Sequence, residues 1–155
     1  MIRLSRLADY GIVIMTTAAR HPERHHTAAE IAAESAVPLP MASKILKSLV
    51  RSGLLESQRG ARGGYGLARP AGRISVADVI VALDGPIALT ACIDDGPGAC
   101  GLEALCPARA NWQRINEAVR TALDGISVDD MANTVPVAFA LPVRPRAEDP
   151  RAGVG

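Results

Sequence analysis

Residues 27–69 read TAAEIAAESAVPLPMASKILKSLVRSGLLESQRGARGGYGLAR, and the order of signals within them sets the fold. Thr27 and Glu30 form a T-x-x-E pattern, in which hydroxyl and carboxylate each satisfy a backbone N–H that a helix start leaves orphaned. A short helix is therefore predicted over 28–35. The run AVPLP breaks the chain, and Pro40 suits a first helical position because its missing N–H would have no partner there. A second helix is predicted over 40–52, stopped by Gly53, with Ile45, Leu46, Leu49 and Val50 as its buried stripe. Ser43, Lys44, Lys47, Ser48 and Arg51 then fall on its outer surface. Two short helices joined by a tight break make a helix-turn-helix. LLESQR alternates like a strand, GARGG turns, and YGLAR resumes the alternation, so a hairpin follows directly.

A helix-turn-helix followed by a hairpin is a winged helix. The expected fold class is mainly α with a small β-hairpin wing and a long C-terminal dimerisation helix. The wing tip is rich in glycine, which lets a backbone approach closely, and in arginine, which suits phosphate or minor-groove contact. The plainer reading of the same residues is a hairpin that happens to be basic. Charge adds weight to the first reading. The chain of 155 residues carries a net charge of only +1, yet residues 41–73 hold seven basic side chains (Lys44, Lys47, Arg51, Arg59, Arg62, Arg69 and Arg73) against Glu56 alone. Such a block is either a solvated face or the footprint of a polyanion.

On either side of this core pattern the chain is helical. Leu7, Ala8, Ile12, Met15 and Ala19 recur at helical spacing over 5–20. ISVADVIVALDG reads as a helix with Ser75 as N-cap and Asp78 three residues on. A helix of about five turns is predicted from Pro107, with Trp112, Ile115, Val119 and Ala122/Leu123 as its stripe. A lone amphipathic helix here has little core of its own chain to cover, and a DNA reader with two half-sites wants twofold symmetry, so its expected use is homodimerisation, with packing on its own domain as the alternative. The expected organisation is a DNA-binding domain over 1–73, a cysteine loop and dimerisation helix over 74–131, and a proline-rich disordered tail over 132–155. No apolar run reaches bilayer-spanning length, and the N-terminal segment carries Asp9 and lacks a small-residue cleavage site, so a cytoplasmic protein with no membrane contact is expected.

All three cysteines lie in CIDDGPGACGLEALC: Cys92, Cys100 and Cys106. A disulfide uses two thiols and a closed tetrahedral metal site uses four. Structural zinc favours closer pairs than these, whereas iron–sulfur clusters accept wider loops of thiolates, and Gly96, Gly98 and Gly101 would let the chain wrap a bulky inorganic core. A redox thiol switch and purely structural thiols remain as alternatives. An enzyme with Cys106 activated at a helix start is disfavoured: no histidine lies near the cysteines in sequence, and no Gly-rich nucleotide loop appears. His21, His25 and His26, in HPERHH, read as a polar loop and are weaker ligand candidates.

LADYGIVIM, RGARGGYGLARP, ISVADVI and the C-x₇-C-x₅-C spacing together resemble the iron–sulfur winged-helix regulators of the Rrf family, the group of IscR, NsrR and SufR. The resemblance covers roughly residues 1–131, and SKILKSLVRSGLLES and CPARANWQRIN look closest to the regulators of the Suf assembly operon. It implies a homodimeric transcription factor, usually a repressor, on a palindromic double-stranded DNA operator, with no small-molecule substrate. It further implies an iron–sulfur cluster, 2Fe–2S rather than 4Fe–4S, held by Cys92, Cys100 and Cys106. The related Isc regulators place a ligating histidine where this chain has Arg109, which cannot ligate iron. Nitric-oxide-sensing members use an aspartate on the first helix of the partner subunit, and Asp9 occupies that position here. The expected DNA-contacting residues are Ser43, Lys44 and Lys47 on the second helix of the motif, and Arg59, Arg62, Gly63, Gly64 and Tyr65 on the wing. A nitric oxide or redox sensor of the same family is the alternative.

Overall fold

In the computed structural model, residues 3–91, 93 and 105–133 are described. Cys92 and Cys100 lie outside them, as does the expected tail except for its first two residues.

Ser5 opens the first helix, α1 (Arg6–Ala19), by accepting a hydrogen bond from the Ala8 N–H. Thr27 opens α2 (Ala28–Ser35) through the reciprocal bonds its sequence pattern predicts: Glu30 N donates to Thr27 Oγ1 at 3.2 Å, and Thr27 N donates to Glu30 Oε2 at 2.7 Å. The turn out of α2 places Ala36 at φ +56°, a left-handed conformation that a side chain resists. The third helix, α3 (Leu39–Arg51), starts one residue earlier than predicted, with Pro38 as cap. Pro40 therefore stands second in the helix, where an N–H would still lack an intrahelical partner.

At the end of α3, Gly53 takes φ +73°. Its N–H donates to Val50 O, and Leu54 N–H to Leu49 O, both at 3.0 Å, which satisfies carbonyls the helix end would leave bare. This closure turns the chain directly into the hairpin of β1 (Leu55–Gln58) and β2 (Gly64–Leu67), with Leu55 opposite Leu67 and Gln58 opposite Gly64. His26 adds a third, one-residue rung: its N–H donates to Tyr65 O at 2.9 Å and its carbonyl accepts from Tyr65 N at 2.7 Å. Gly64, at φ +147°, lies so close to this rung that a Cβ there would come within 2.5 Å of the His26 carbonyl oxygen. HPERHH is thus not simply a polar loop: His26 is fully buried and is part of the sheet.

After a 3-10 turn (Ala71–Arg73), Ser75 and Asp78 form a second capping box at the start of α4 (Val76–Asp84). The long helix α5 runs Arg109–Asp124 and is followed by a short helix, α6 (Val128–Asn133), which the sequence reading did not predict and whose last two residues fall in the expected tail. The core gathers Ile14 and Met15 of α1, Ile31 of α2, Ile45, Leu46 and Leu49 of α3, Leu55, Ile74, Val79 and Val128. Its centre is α1, which packs against α2, α3, α4 and α6. A smaller cluster of Ala8, Val76 and Ile80, joined by Ile12, Ile87 and Leu123, fixes α4 and α5 to α1.

Candidate nucleic-acid interface and thiol segment

Burying Ala42, Ile45, Leu46 and Leu49 leaves the opposite face of α3 outward. Lys44, Lys47 and Arg51 are exposed there and Ser43 is half-buried beside them. Arg59 and Arg62 are exposed in the turn between β1 and β2. Among the described residues, none of these five cations has an ion-pair partner. Arginines that do have one lie elsewhere, among them Arg24 with Glu34, Arg69 with Asp78, and Arg120 with Asp124. A helix face and a hairpin tip joined by the short closure at Gly53 thus present charge that the described residues do not neutralise. A helix of this kind fits a major groove, with the wing reaching a neighbouring stretch of backbone.

The other predicted wing residues have structural duties as well. A Cβ on Gly63 would collide with the backbone of Gln58 and Arg59. Tyr65 is half-buried against the core while its backbone pairs with His26. One contact was not foreseen: His25 Nε2 lies 3.2 Å from Glu56 Oε1, with its ring packed over Gly66, so the only acidic residue of the basic block is occupied by a neighbour from outside it. A histidine opposite a strand carboxylate has no short-range sequence signature, since the two are 31 positions apart.

A polar chain links the base of the wing to α5. Arg69 Nη2 donates to Asp78 Oδ2 at 3.0 Å, and the same oxygen accepts from Ser75 N. Ser75 Oγ donates to Asp124 Oδ1 at 3.2 Å, near the end of α5.

Of the three cysteines, the structure describes Cys106, a half-buried free thiol just ahead of α5. Its carbonyl accepts from the N–H of Arg109, the first residue of that helix, at 3.4 Å. Asp9 lies exposed on α1, and its carboxylate has no hydrogen-bond or ion-pair partner among the described residues. The described residues alone contain no group of three His, Cys, Asp or Glu side chains that could hold a metal ion, so His21, His25 and His26 do not form such a site with their described neighbours. The donor set itself, three soft thiolates closely spaced in sequence plus an unengaged carboxylate on another element, fits an iron–sulfur core completed by one oxygen ligand. Along α5 only Asn116 is buried; Trp112 and Ile115 are exposed on the face that carries the apolar stripe.

A winged helix with an unneutralised recognition helix and wing defines the class: a DNA-binding regulatory protein. The family model of Rrf2, described as an iron-dependent transcriptional regulator, matches residues 4–134, and the chain belongs to that family. It is a transcriptional regulator and not an enzyme. It is 31% identical over 150 residues to protein aau3 of Rhizobium meliloti (94% of this chain, 97% of that one). It is 31% identical over 131 residues to the HTH-type transcriptional regulator IscR of Xenorhabdus nematophila (84% and 79%). Among solved structures it is similar to CymR, the global cysteine regulator of B. subtilis, at 30% identity and a TM-score of 0.68, covering 85% of this chain and 97% of that one. It is also similar to T. potens IscR, at 27% identity and a TM-score of 0.66, covering 84% and 85%. No described helix is long and apolar enough to cross a membrane.

Proposed function

We propose that the chain is a cytoplasmic, homodimeric repressor of Suf iron–sulfur assembly genes. It binds a palindromic operator and reads cluster status through Cys92, Cys100 and Cys106, with Asp9 of the partner subunit as the fourth ligand. The observation that carries this reading is α5: it begins three residues after the free thiol of Cys106 and leaves Trp112 and Ile115 exposed, which supports a surface for a second copy near that thiol.

In the dimer, Trp112 and Ile115 exclude water from the seam. Lys44, Lys47 and Arg51 neutralise phosphates along the major groove, Ser43 approaches base edges, and Arg59 and Arg62 hold the wing to the backbone. A bound cluster, expected as 2Fe–2S, supplies a link between subunits that depends on iron, sulfide and oxidant. Asp9 would hold iron less firmly than a fourth thiolate would, which suits a sensor. Because α1 packs on both α3 and α4, a pull at Asp9 bears on the placement of the recognition helix. DNA affinity and ligand state are then linked, and each shifts the other.

The test is anaerobic purification with an absorption spectrum and iron and sulfide counts, followed by DNA binding with and without the cluster. Colourless protein carrying stoichiometric zinc sinks the cluster reading. An Asp9→Ala variant with the wild-type spectrum and cluster lifetime removes Asp9 as a ligand. The second reading, a nitric oxide or redox-sensing repressor, is favoured by the same exposed Asp9. It is separated from the first by whether nitric oxide or iron depletion releases the operator.

A further inference from the structure

Within residues 27–69, which hold the helix-turn-helix and the wing, Leu39 is the only large apolar side chain left exposed, at 48%. It is the first residue of α3. Its place is set from both sides. Val37, two residues earlier, is buried in the core, just after the left-handed turn at Ala36. Pro38 caps the helix and Pro40 follows, so the backbone on either side of Leu39 has a fixed φ. The N–H groups of Met41 and Ala42 both donate to Pro38 O at 2.9 Å, which closes the first turn around Leu39. Residues four apart on a helix are neighbours on its surface. Leu39, Ser43 and Lys47 therefore form one row along α3: an apolar side chain where the helix begins, then a hydroxyl, then a cation.

In helix-turn-helix proteins the first residues of the recognition helix are the ones that reach base edges. A leucine there can neither neutralise a phosphate nor hydrogen-bond a base. The major groove offers it one apolar feature, the 5-methyl group of thymine. We propose that Leu39 is a specificity-determining residue, whose side chain packs on a thymine methyl where α3 enters the groove. The proposal rests on the reading of α3 as the DNA-recognition helix and adds to it a base preference that the charged residues do not supply. Lys44, Lys47 and Arg51 attract any duplex alike, since phosphates carry no sequence. The prolines on either side hold the Leu39 backbone in place before DNA arrives, so little ordering is lost on contact.

The test starts from the full-length chain, purified anaerobically, and a pool of random double-stranded DNA, from which bound duplexes are enriched and sequenced. Each thymine of an enriched duplex is then replaced by uracil, which removes the methyl and leaves every hydrogen-bonding group of the base in place. Fluorescence anisotropy gives the affinities of wild type, Leu39→Ala and Leu39→Met, with far-ultraviolet circular dichroism as the check on folding. Leaving one methyl unburied corresponds to a loss of affinity of about three- to fivefold. At one or more thymines, uracil should weaken wild type and Leu39→Met by about three- to fivefold and leave Leu39→Ala unchanged. A penalty that arises from DNA shape would fall equally on all three proteins. Equal uracil penalties in wild type and Leu39→Ala at every thymine, or none in any, overturn the proposal. If duplexes are enriched and Lys47→Ala weakens their binding, that outcome removes the role of Leu39 and leaves α3 as the recognition helix. If no duplex is enriched over the pool, the reading of α3 falls and this proposal with it.

Discussion

Ser75 and Ser127 face one another in a single antiparallel bridge: Val76 N donates to Ile126 O at 2.9 Å, and Val128 N donates to Ile74 O at 2.8 Å. Each serine also starts a helix. Ser75 exchanges bonds with Asp78, and Ser127 with Asp130, whose Oδ2 accepts from Ser127 N at 2.9 Å and whose N–H donates to Ser127 Oγ at 3.0 Å. The repeated I-S-V-x-D at 74–78 and 126–130 is thus one device used twice, and it joins the starts of α4 and α6, each of which packs on α1.

Removing either cap should cost about 1 kcal/mol. The two losses should be similar, because each hydroxyl also donates to a carboxylate, Ser75 Oγ to Asp124 and Ser127 Oγ to Asp130. Urea unfolding of both single variants and the double variant measures this. Because the two residues share a bridge, the double variant is expected to depart from additivity by at least about 0.5 kcal/mol.

Lys47→Ala should weaken operator binding and lower the slope of log affinity against log salt by about 1, the signature of one lost phosphate contact. Fluorescence anisotropy at several salt concentrations reads it. An unchanged slope with weaker binding would instead assign Lys47 to a base edge.

The Thr27 backbone N–H, donating to Glu30, holds the Glu30 carboxyl below the ordinary glutamate range, with the Thr27 hydroxyl adding to the effect; for Asp130 the Ser127 hydroxyl lowers the carboxyl most, with the Ser127 backbone N–H adding to it. A depressed folded-state pKa contributes stability that is present above the unfolded carboxylate value and disappears as pH falls through the folded one. Stability should therefore decline with acid across that window. Glu30→Gln, which keeps an acceptor for the Thr27 N–H, should show a shallower decline when denaturant midpoints are compared between neutral and acidic buffers.

Ile115→Asp places a charge on the outward stripe of α5 and should convert the proposed dimer to monomer in sedimentation experiments. Trp112, one turn away and the sole tryptophan, should shift its emission to the red as it becomes solvated. A dimer that survives this change would place the subunit interface elsewhere.

Ala36→Gly should stabilise the protein by about 0.5–1 kcal/mol. The left-handed conformation costs a side chain roughly 1–2 kcal/mol, and glycine's extra unfolded-state freedom offsets about 0.5–1 kcal/mol of that relief. The helix-turn-helix geometry and DNA affinity should be unchanged.

Whatever depends on near neighbours was legible in the sequence. The boxes at Thr27 and Ser75, the stop at Gly53, the apolar stripes of α1 and α3 and the turn at 59–63 all lie within a few residues of the atoms they satisfy. Even α6 carried its signal in Ser127 and Asp130; at six residues it is too short for periodicity to mark it. The basic face was readable as composition, because α3 can bury only one side.

The sequence by itself therefore determined the class of fold, the helix starts and the outward charge of α3 and the wing. Only the tertiary structure decided that His26 is buried in the sheet, that Ser75 meets Ser127, and that Asn116 reaches back to Ile87 and Leu89. Each of these joins groups from 27 to 52 positions apart, the first two through backbone atoms on both sides and the third through a side-chain amide that meets backbone atoms. Such bonds leave no mark in residue type: any chain offers the N–H and the carbonyl, and packing selects which of them meet.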